Sequence, residues 1–172
     1  SGDDMMVLTG IYKGDPYLNS YGRIIRVKNK DVNDISAGKD ESNVIQIMEF
    51  KDILALPDNK PYQVSYRNKT YSYTKKELIE TNEFNSGVYA FNYKKLRELI
   101  NKLSSNNAQN EIYITDLISL FNQKGYSVGA VSPKQQYVVM GFNDKSVLKK
   151  MDEIARKNVY EKLKNIIEID DP

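Results

Sequence analysis

Cysteine and histidine are both missing from this sequence, and their absence closes off several kinds of chemistry together. Without a thiol or an imidazole the chain holds no disulfide, no cysteine nucleophile, no Ser-His-Asp triad and no His/Cys zinc site. A metal held here needs oxygen ligands from Asp, Glu, Asn or the backbone, which points to Mg²⁺ or a similarly hard cation. A strong charge of one sign is lacking too. The 25 basic and 23 acidic residues are interspersed and leave a formal net charge of +2, which is not the field of a dedicated nucleic-acid binder. No apolar run reaches the length of a membrane span. We therefore expect a soluble, cytoplasmic protein with neither nucleic acid nor membrane as partner. At 172 residues the chain is long enough for one compact domain burying roughly 70% of its unfolded surface.

What is present alternates between strand and helix patterns. MMVLTGIY (5 to 12) has the composition of a buried strand and is followed by a loop rich in Gly, Asp, Pro and Asn. RIIRVKN (23 to 29) and VIQIMEF (44 to 50) are expected strands, the latter alternating Val44, Gln46 and Met48 against Ile45, Ile47 and Glu49. YQVSYRNKTYSY predicts a hairpin turning near Asn68-Lys69. TKKE (74 to 77) has capping-box form ahead of a short helix, and NSGVYAF (85 to 91) is expected to be a strand. Leu96, Leu99, Ile100 and Leu103 fall at helical spacing behind Asn92 as N-cap. Ile114, Leu117, Ile118 and Phe121 predict a second helix ending at Gly125. YSVGAVS (126 to 132) and YVVMGF (137 to 142) then suggest strands, and residues 144 to 168 a long helix. The mixture predicts an α/β or α+β domain around a mixed β-sheet.

Four short constellations offer chemistry: SYGR (20 to 23), MEFKD (48 to 52), FNSG (84 to 87) and GFND (141 to 144). Each sets a polar or glycine residue at a strand end, where open α/β sheets build ligand crevices. Each also has an ordinary structural explanation. Gly22 and Gly87 serve equally as turn or bulge glycines, Glu49 as a solvated strand-end carboxylate, and Asn143 as a helix cap.

The order of these elements, with NNAQNEIYITD between the third and fourth, carries more than any one of them. YGRIIR, MEFKD, NSGVYAF, NNAQNEIYITD and GFND together resemble the uridyltransferase half of the bifunctional N-acetylglucosamine-1-phosphate uridyltransferase/glucosamine-1-phosphate acetyltransferase family. The resemblance implies a partial Rossmann-like nucleotidyltransferase domain comprising its sugar-binding half. That domain would run over residues 1 to 168, with 169 to 172 beginning the linker to a left-handed β-helix acetyltransferase domain. The glycine-rich nucleotide loop and a metal-binding aspartate would lie outside the chain. Gly22, Glu49 and Asn85 would line the N-acetylglucosamine pocket, with Tyr113 and Thr115 beside it, and Asn143 would contact substrate and offer an oxygen to Mg²⁺. The substrates implied are UTP and N-acetylglucosamine 1-phosphate, the product UDP-N-acetylglucosamine for cell-wall precursors, and the parent assembly a homotrimer through the acetyltransferase domain.

The sequence also departs from the family. A glycine after Gln109 is replaced by Asn110, a residue that tolerates the left-handed conformation. Residues 31 to 44 and 53 to 82 are longer than the usual connections. The second insert carries Tyr62, Tyr66, Tyr71 and Tyr73, read first as tyrosines packing on their own hairpin and alternatively as a stacking or partner surface. The competing functions are a nucleotidyltransferase for another sugar 1-phosphate and a non-catalytic sugar-nucleotide or protein-binding domain.

Overall fold

A computed structural model of the protein describes residues 2–105, 109–139 and 145–166. It divides into a larger unit up to Ser132 and a smaller one from Pro133. The larger unit is built on a five-stranded sheet. In chain order its strands are β1 (Met5–Ile11), β2 (Arg23–Arg26), β3 (Val44–Met48), β6 (Glu83–Phe91) and β7 (Val128–Val131), laid side by side as β3-β2-β6-β1-β7. Only the β1–β7 pair is parallel; the others are antiparallel. The sheet is mixed, as expected for an α/β domain.

Between β3 and β6 run helix α1 (Phe50–Ala55), the hairpin of β4 (Tyr62–Tyr66) and β5 (Lys69–Tyr73), and helix α2 (Lys75–Glu80). The hairpin turns on Arg67 and Asn68, both at positive φ, the geometry of a two-residue turn that follows strand twist. This is one residue earlier than the expected Asn68-Lys69. Thr74 and Glu77 form the expected reciprocal capping box at the start of α2. Helix α3 (Tyr93–Leu99) starts at Asn92, whose side chain accepts from Lys94 and Lys95. Helix α4 (Leu117–Gln123) is preceded by a 3-10 turn over Ile114–Asp116 and ends before Gly125 at φ +72, with the Tyr126 N–H returning to the Phe121 carbonyl. That glycine supplies the left-handed residue of a helix C-terminus.

Each face of the sheet has its own core. Met5, Val7, Ile24, Val44, Ile47, Leu99, Leu117, Ile118 and Phe121 gather on one side with α3 and α4. Ile25, Ile45, Met48, Ile53, Leu78 and Ile79 gather with Tyr66, Tyr71 and Tyr73 of the hairpin on the other. Simple alternation would have put Ile45 and Ile47 on one face. It fails because Ile25 pairs with Gln46 and Arg26 with Val44, leaving Ile45 as an unpaired extra residue. This bulge reverses the phase of β3, so that Val44 joins Ile47 and Ile45 joins Met48.

The predicted strand at 137 to 142 is not formed over its described part: Gln136–Val139 is a 3-10 turn in the smaller unit. A short apolar run does not by itself separate a strand from other buried structure. The smaller unit also carries helix α5 (Lys145–Leu163), within the predicted 144 to 168. The GFND segment and residues 169 to 172 lie outside the described residues. No helix among the described residues is long and apolar enough to cross a membrane.

Arg23 locks the larger unit together. Its side chain is fully buried, and its guanidinium donates to the carbonyls of Pro16, Asn19, Tyr21 and Ile79 while standing over the Phe50 ring at 5.0 Å. Among the described residues it forms no ion pair, so its charge is spread over backbone dipoles and an aromatic face. Replacing Arg23 with Met should lower unfolding stability by about 3 kcal/mol or more, because buried carbonyls lose their donors together. Arg23→Lys should recover only part of this, since one ammonium cannot reproduce the planar fork. Urea denaturation checks both; a lysine variant as stable as the parent would show that the fork geometry is unimportant.

Candidate functional site

The site is assembled where β2, β3 and β6 give way to turns. The backbone N–H of Asn85 donates to the Gly22 carbonyl at 2.9 Å, which joins the glycine of SYGR to the asparagine of FNSG. Facing them is Glu49, at the junction of β3 and α1. The strand expected to run to Phe50 stops at Met48, because Asp52 and Ile53 donate back to the Glu49 carbonyl and start the helix. Phe50 thereby turns under Arg23, and Glu49 is left at the rim of the sheet.

Gly22 is buried, and its lack of a side chain matters here. A Cβ on Gly22 would lie 2.9 and 3.0 Å from the Glu49 carboxylate oxygens and 3.0 Å from the Ile47 Cγ2. The glycine is what allows the carboxylate to lie against the backbone of β2.

The Asn-Ser-Gly sequence is a bulge in β6. Leu8 pairs with Val88 and Thr9 with Asn85, so Ser86 and Gly87 are looped out. Gly87 takes φ +81, a conformation open to glycine at little expense. Its N–H donates to the Asn85 Oδ1 at 3.0 Å, and the Ser86 hydroxyl donates to the Leu8 carbonyl at 2.6 Å. Asn85 also hydrogen-bonds the Tyr89 hydroxyl, which burial pushes up to about 12 despite that bond. A carboxamide has two donors and two lone pairs, so half of the Asn85 capacity remains for a ligand.

The Glu49 side chain is half-buried and, among the described residues, its carboxylate accepts no hydrogen bond and pairs with no cation. Desolvation holds its carboxyl above the ordinary glutamate value, with Asp52 and Asp116 adding like-charge repulsion. Asp116 is raised as well, by burial first and by Asp52 second. Thr115, in the 3-10 turn that packs against β3, is 4% exposed, and among the described residues its hydroxyl has no partner. Tyr113 precedes that turn. Its hydroxyl accepts from Gln109 at 2.6 Å, and it is pushed up by burial and by Asp52, Glu49 and Glu111. Asn110 stands at φ +54, so asparagine does adopt the left-handed turn expected where the family has glycine.

The structure thus groups Gly22, Glu49 and Asn85 directly and brings the charge of Glu49 to bear on Tyr113. Thr115 adjoins Asp116 of the same cluster. Asn143 lies outside the described residues. Sequence reasoning missed Tyr89, Asp52 and Asp116. Asp52 was visible as the aspartate of MEFKD, whereas Tyr89 is found only through the bulge that turns it toward Asn85.

Sequence comparison bears on this arrangement. The chain is 34% identical over 167 residues to the bifunctional protein GlmU of Clostridium novyi, matching 96% of this chain and 28% of that protein. It is 32% identical over 148 residues to the GlmU of Clostridioides difficile, covering 86% of this chain and 25% of the relative. With the GlmU of Caldanaerobacter subterraneus it is 30% identical over 173 residues, covering 99% and 30%. Over most of its length the chain is GlmU-like in sequence. No protein-family model matches it, and it spans less than a third of the length of these curated relatives.

Protonation of Glu49 gives a test of the site's electrostatics. A carboxyl whose pKa is raised by folding contributes stability below its unfolded value, and that contribution is lost as pH rises through the folded value. Glu49→Gln should therefore be more stable than the parent at pH 7, with the advantage fading as pH falls through the raised folded value and gone below the ordinary glutamate value of 4.5. Urea unfolding of both proteins across this range decides it, and a variant equally stable at every pH would remove the strain assigned to Glu49.

Proposed function

We propose that the chain supplies the sugar-side wall of a nucleotidyltransferase active site that joins UTP to N-acetylglucosamine 1-phosphate, releasing pyrophosphate and UDP-N-acetylglucosamine. The observation that carries this reading is Glu49: a half-buried carboxylate among like charges, with no donor of its own, held against a buried glycine. Leaving such a group without hydrogen bonds is unfavourable, and the hydroxyls of a sugar are the donors it lacks. Around it stand the remaining capacity of the Asn85 carboxamide, the Tyr113 hydroxyl and the unpartnered Thr115 hydroxyl, which together supply both donors and acceptors. Such a set orients a neutral sugar ring with few charges. It grips the sugar and aims its phosphate, and the phosphate oxygen, already anionic, is the nucleophile. No proton need be removed by the protein in that step, in keeping with a chain that has no histidine.

The nucleotide-binding residues belong to a part of the GlmU-like protein that the resemblance assigns outside this chain. Mg²⁺ would enter through Asn143 and an aspartate from that other part. Among the described residues no group of three or more Asp, Glu, His or Cys side chains is placed to hold a metal ion, so the chemistry derived for these residues is binding and orientation alone. A role in the cytoplasm, in cell-wall precursor synthesis and in a trimeric parent follows from the same proposal.

In a full-length protein carrying this segment, Glu49→Ala should reduce kcat/KM for N-acetylglucosamine 1-phosphate by roughly 10- to 1,000-fold, about 1.4 to 4 kcal/mol of transition-state binding. The KM for UTP should change little. Asn85→Ala should have a similar effect accompanied by a lower Tm, because the same side chain closes the Gly87 bulge. Equal loss for both substrates, or for neither, would refute the sugar assignment, and a parent preferring another sugar 1-phosphate would point to a nucleotidyltransferase of different specificity. The 172-residue chain alone should turn over no UTP, and measurable pyrophosphate release by the purified chain would overturn the division of labour.

A further inference from the structure

One hydrogen-bond chain beside the proposed pocket has a direction. The Lys51 Nζ donates to the Gln109 Oε1 at 2.5 Å, and the Gln109 Nε2 donates to the Tyr113 hydroxyl oxygen at 2.6 Å. The first link joins the helix next to Glu49 to a loop 58 positions further along the chain. Carboxamide ends are chemically distinct but similar in shape, and what fixes their orientation is the partner. An ammonium has three donors and no acceptor, so the end of Gln109 that meets Lys51 must be its oxygen. The NH₂ end then faces Tyr113, and the phenol must accept from it. A phenol that accepts keeps its own O–H for another partner, and among the described residues Tyr113 makes no second hydrogen bond. Burial first, and then the charges of Asp52, Glu49 and Glu111, favour the neutral phenol.

We propose that Lys51 is a positioning residue which, through Gln109, sets Tyr113 as a donor to an acceptor oxygen of the bound sugar phosphate. Recognition is then divided: Glu49, when ionised, only accepts from the ligand, and Tyr113 gives its proton to it. A sugar derivative must present hydroxyl donors on one side and an acceptor oxygen on the other. This inference rests on the sugar-phosphate reading of the pocket for its ligand, whereas the polarity of the chain itself does not.

Three substitutions separate the polarity from the mere presence of these side chains. Lys51→Arg keeps a donor-only group. Lys51→Glu puts an acceptor-only group opposite Gln109, which turns the carboxamide round and makes Tyr113 donate to it. Gln109→Glu makes the middle link acceptor-only and forces the same reversal at Tyr113. In the chain labelled at tyrosine ¹³Cζ, with the Tyr113 resonance assigned by its loss in Tyr113→Phe, Lys51→Arg should leave that resonance in place. Lys51→Glu and Gln109→Glu should both move it downfield, toward a donating phenol. In the full-length protein the same two reversals should weaken N-acetylglucosamine 1-phosphate binding by about tenfold or more, as a site loses a ligand hydrogen bond, with no further loss when combined with Tyr113→Phe. An unmoved Tyr113 resonance overturns the relay. A moved resonance with unchanged affinity overturns its part in recognition. If the unaltered full-length protein fails to bind the sugar phosphate, the reading of the site falls and with it the ligand role of Tyr113, while the spectrum still decides the polarity of the chain.

Discussion

A guanidinium buried without a carboxylate is the constraint around which the larger unit is arranged. Arg23 sits at the start of β2 and takes its acceptors from the loop before it, from the strand entry at Tyr21 and from the end of α2 at Ile79. Pro16, Asn19 and Tyr21 are close to Arg23 in sequence and Ile79 is 56 positions away, and each must present a carbonyl to the same planar group. The arrangement tolerates a full charge in the interior only because the donors are met together and the cation rests on Phe50. That contact requires α1 to begin at Phe50, and the beginning of α1 leaves Glu49 at the sheet rim. The next residue along from Arg23 toward the N-terminus is Gly22, whose bare backbone receives the Glu49 carboxylate. A structural arginine and a candidate ligand-binding glutamate are therefore placed by one piece of geometry.

The rim built this way is polarised. Burial raises the proton affinity of Glu49 and Asp116, with the charge of Asp52 adding to both and that of Asp116 adding to Glu49, and the amides and hydroxyls of Asn85, Tyr89, Tyr113 and Thr115 bring no opposite charge. Among the described residues the Glu49 carboxylate receives no hydrogen bond in return for its burial. Binding a ligand rich in hydroxyl donors would return the hydrogen bonds that folding withheld.

Much of the framework was legible in the sequence where local chemistry alone decided it. The Thr74–Glu77 box, the Asn92 cap, the Gly125 terminus and the left-handed Asn110 all depend on residues within a few positions of one another. Errors arose where a distant partner decided. The alternation in Val44–Met48 gave the strand but not its faces, because the bulge at Ile45 is set by pairing with β2. Phe50 was expected in a strand because its apolar character suits one, but the ring is recruited by Arg23. The site followed the same division. Gly22, Glu49 and Asn85 could be named from motif order, whereas Tyr89 and the Lys51–Gln109 link depend on contacts made across the sheet and between loops.

The tyrosines of the hairpin have a role that neither composition nor length would have revealed. Tyr66, Tyr71 and Tyr73 are almost wholly buried and cover Ile25, Val27, Ile45 and Met48 on one face of the main sheet. The two inserts are also fastened to each other, through the Val32 N–H to the Thr70 carbonyl and through Lys69 to the Ser36 carbonyl. A segment added to a loop is usually dispensable, but one that roofs a core ceases to be. Because those aliphatic residues meet aromatic rings, removing the hairpin would expose an apolar floor that a shorter connection has no means to cover. The hairpin is therefore part of the core and not an appendage to it.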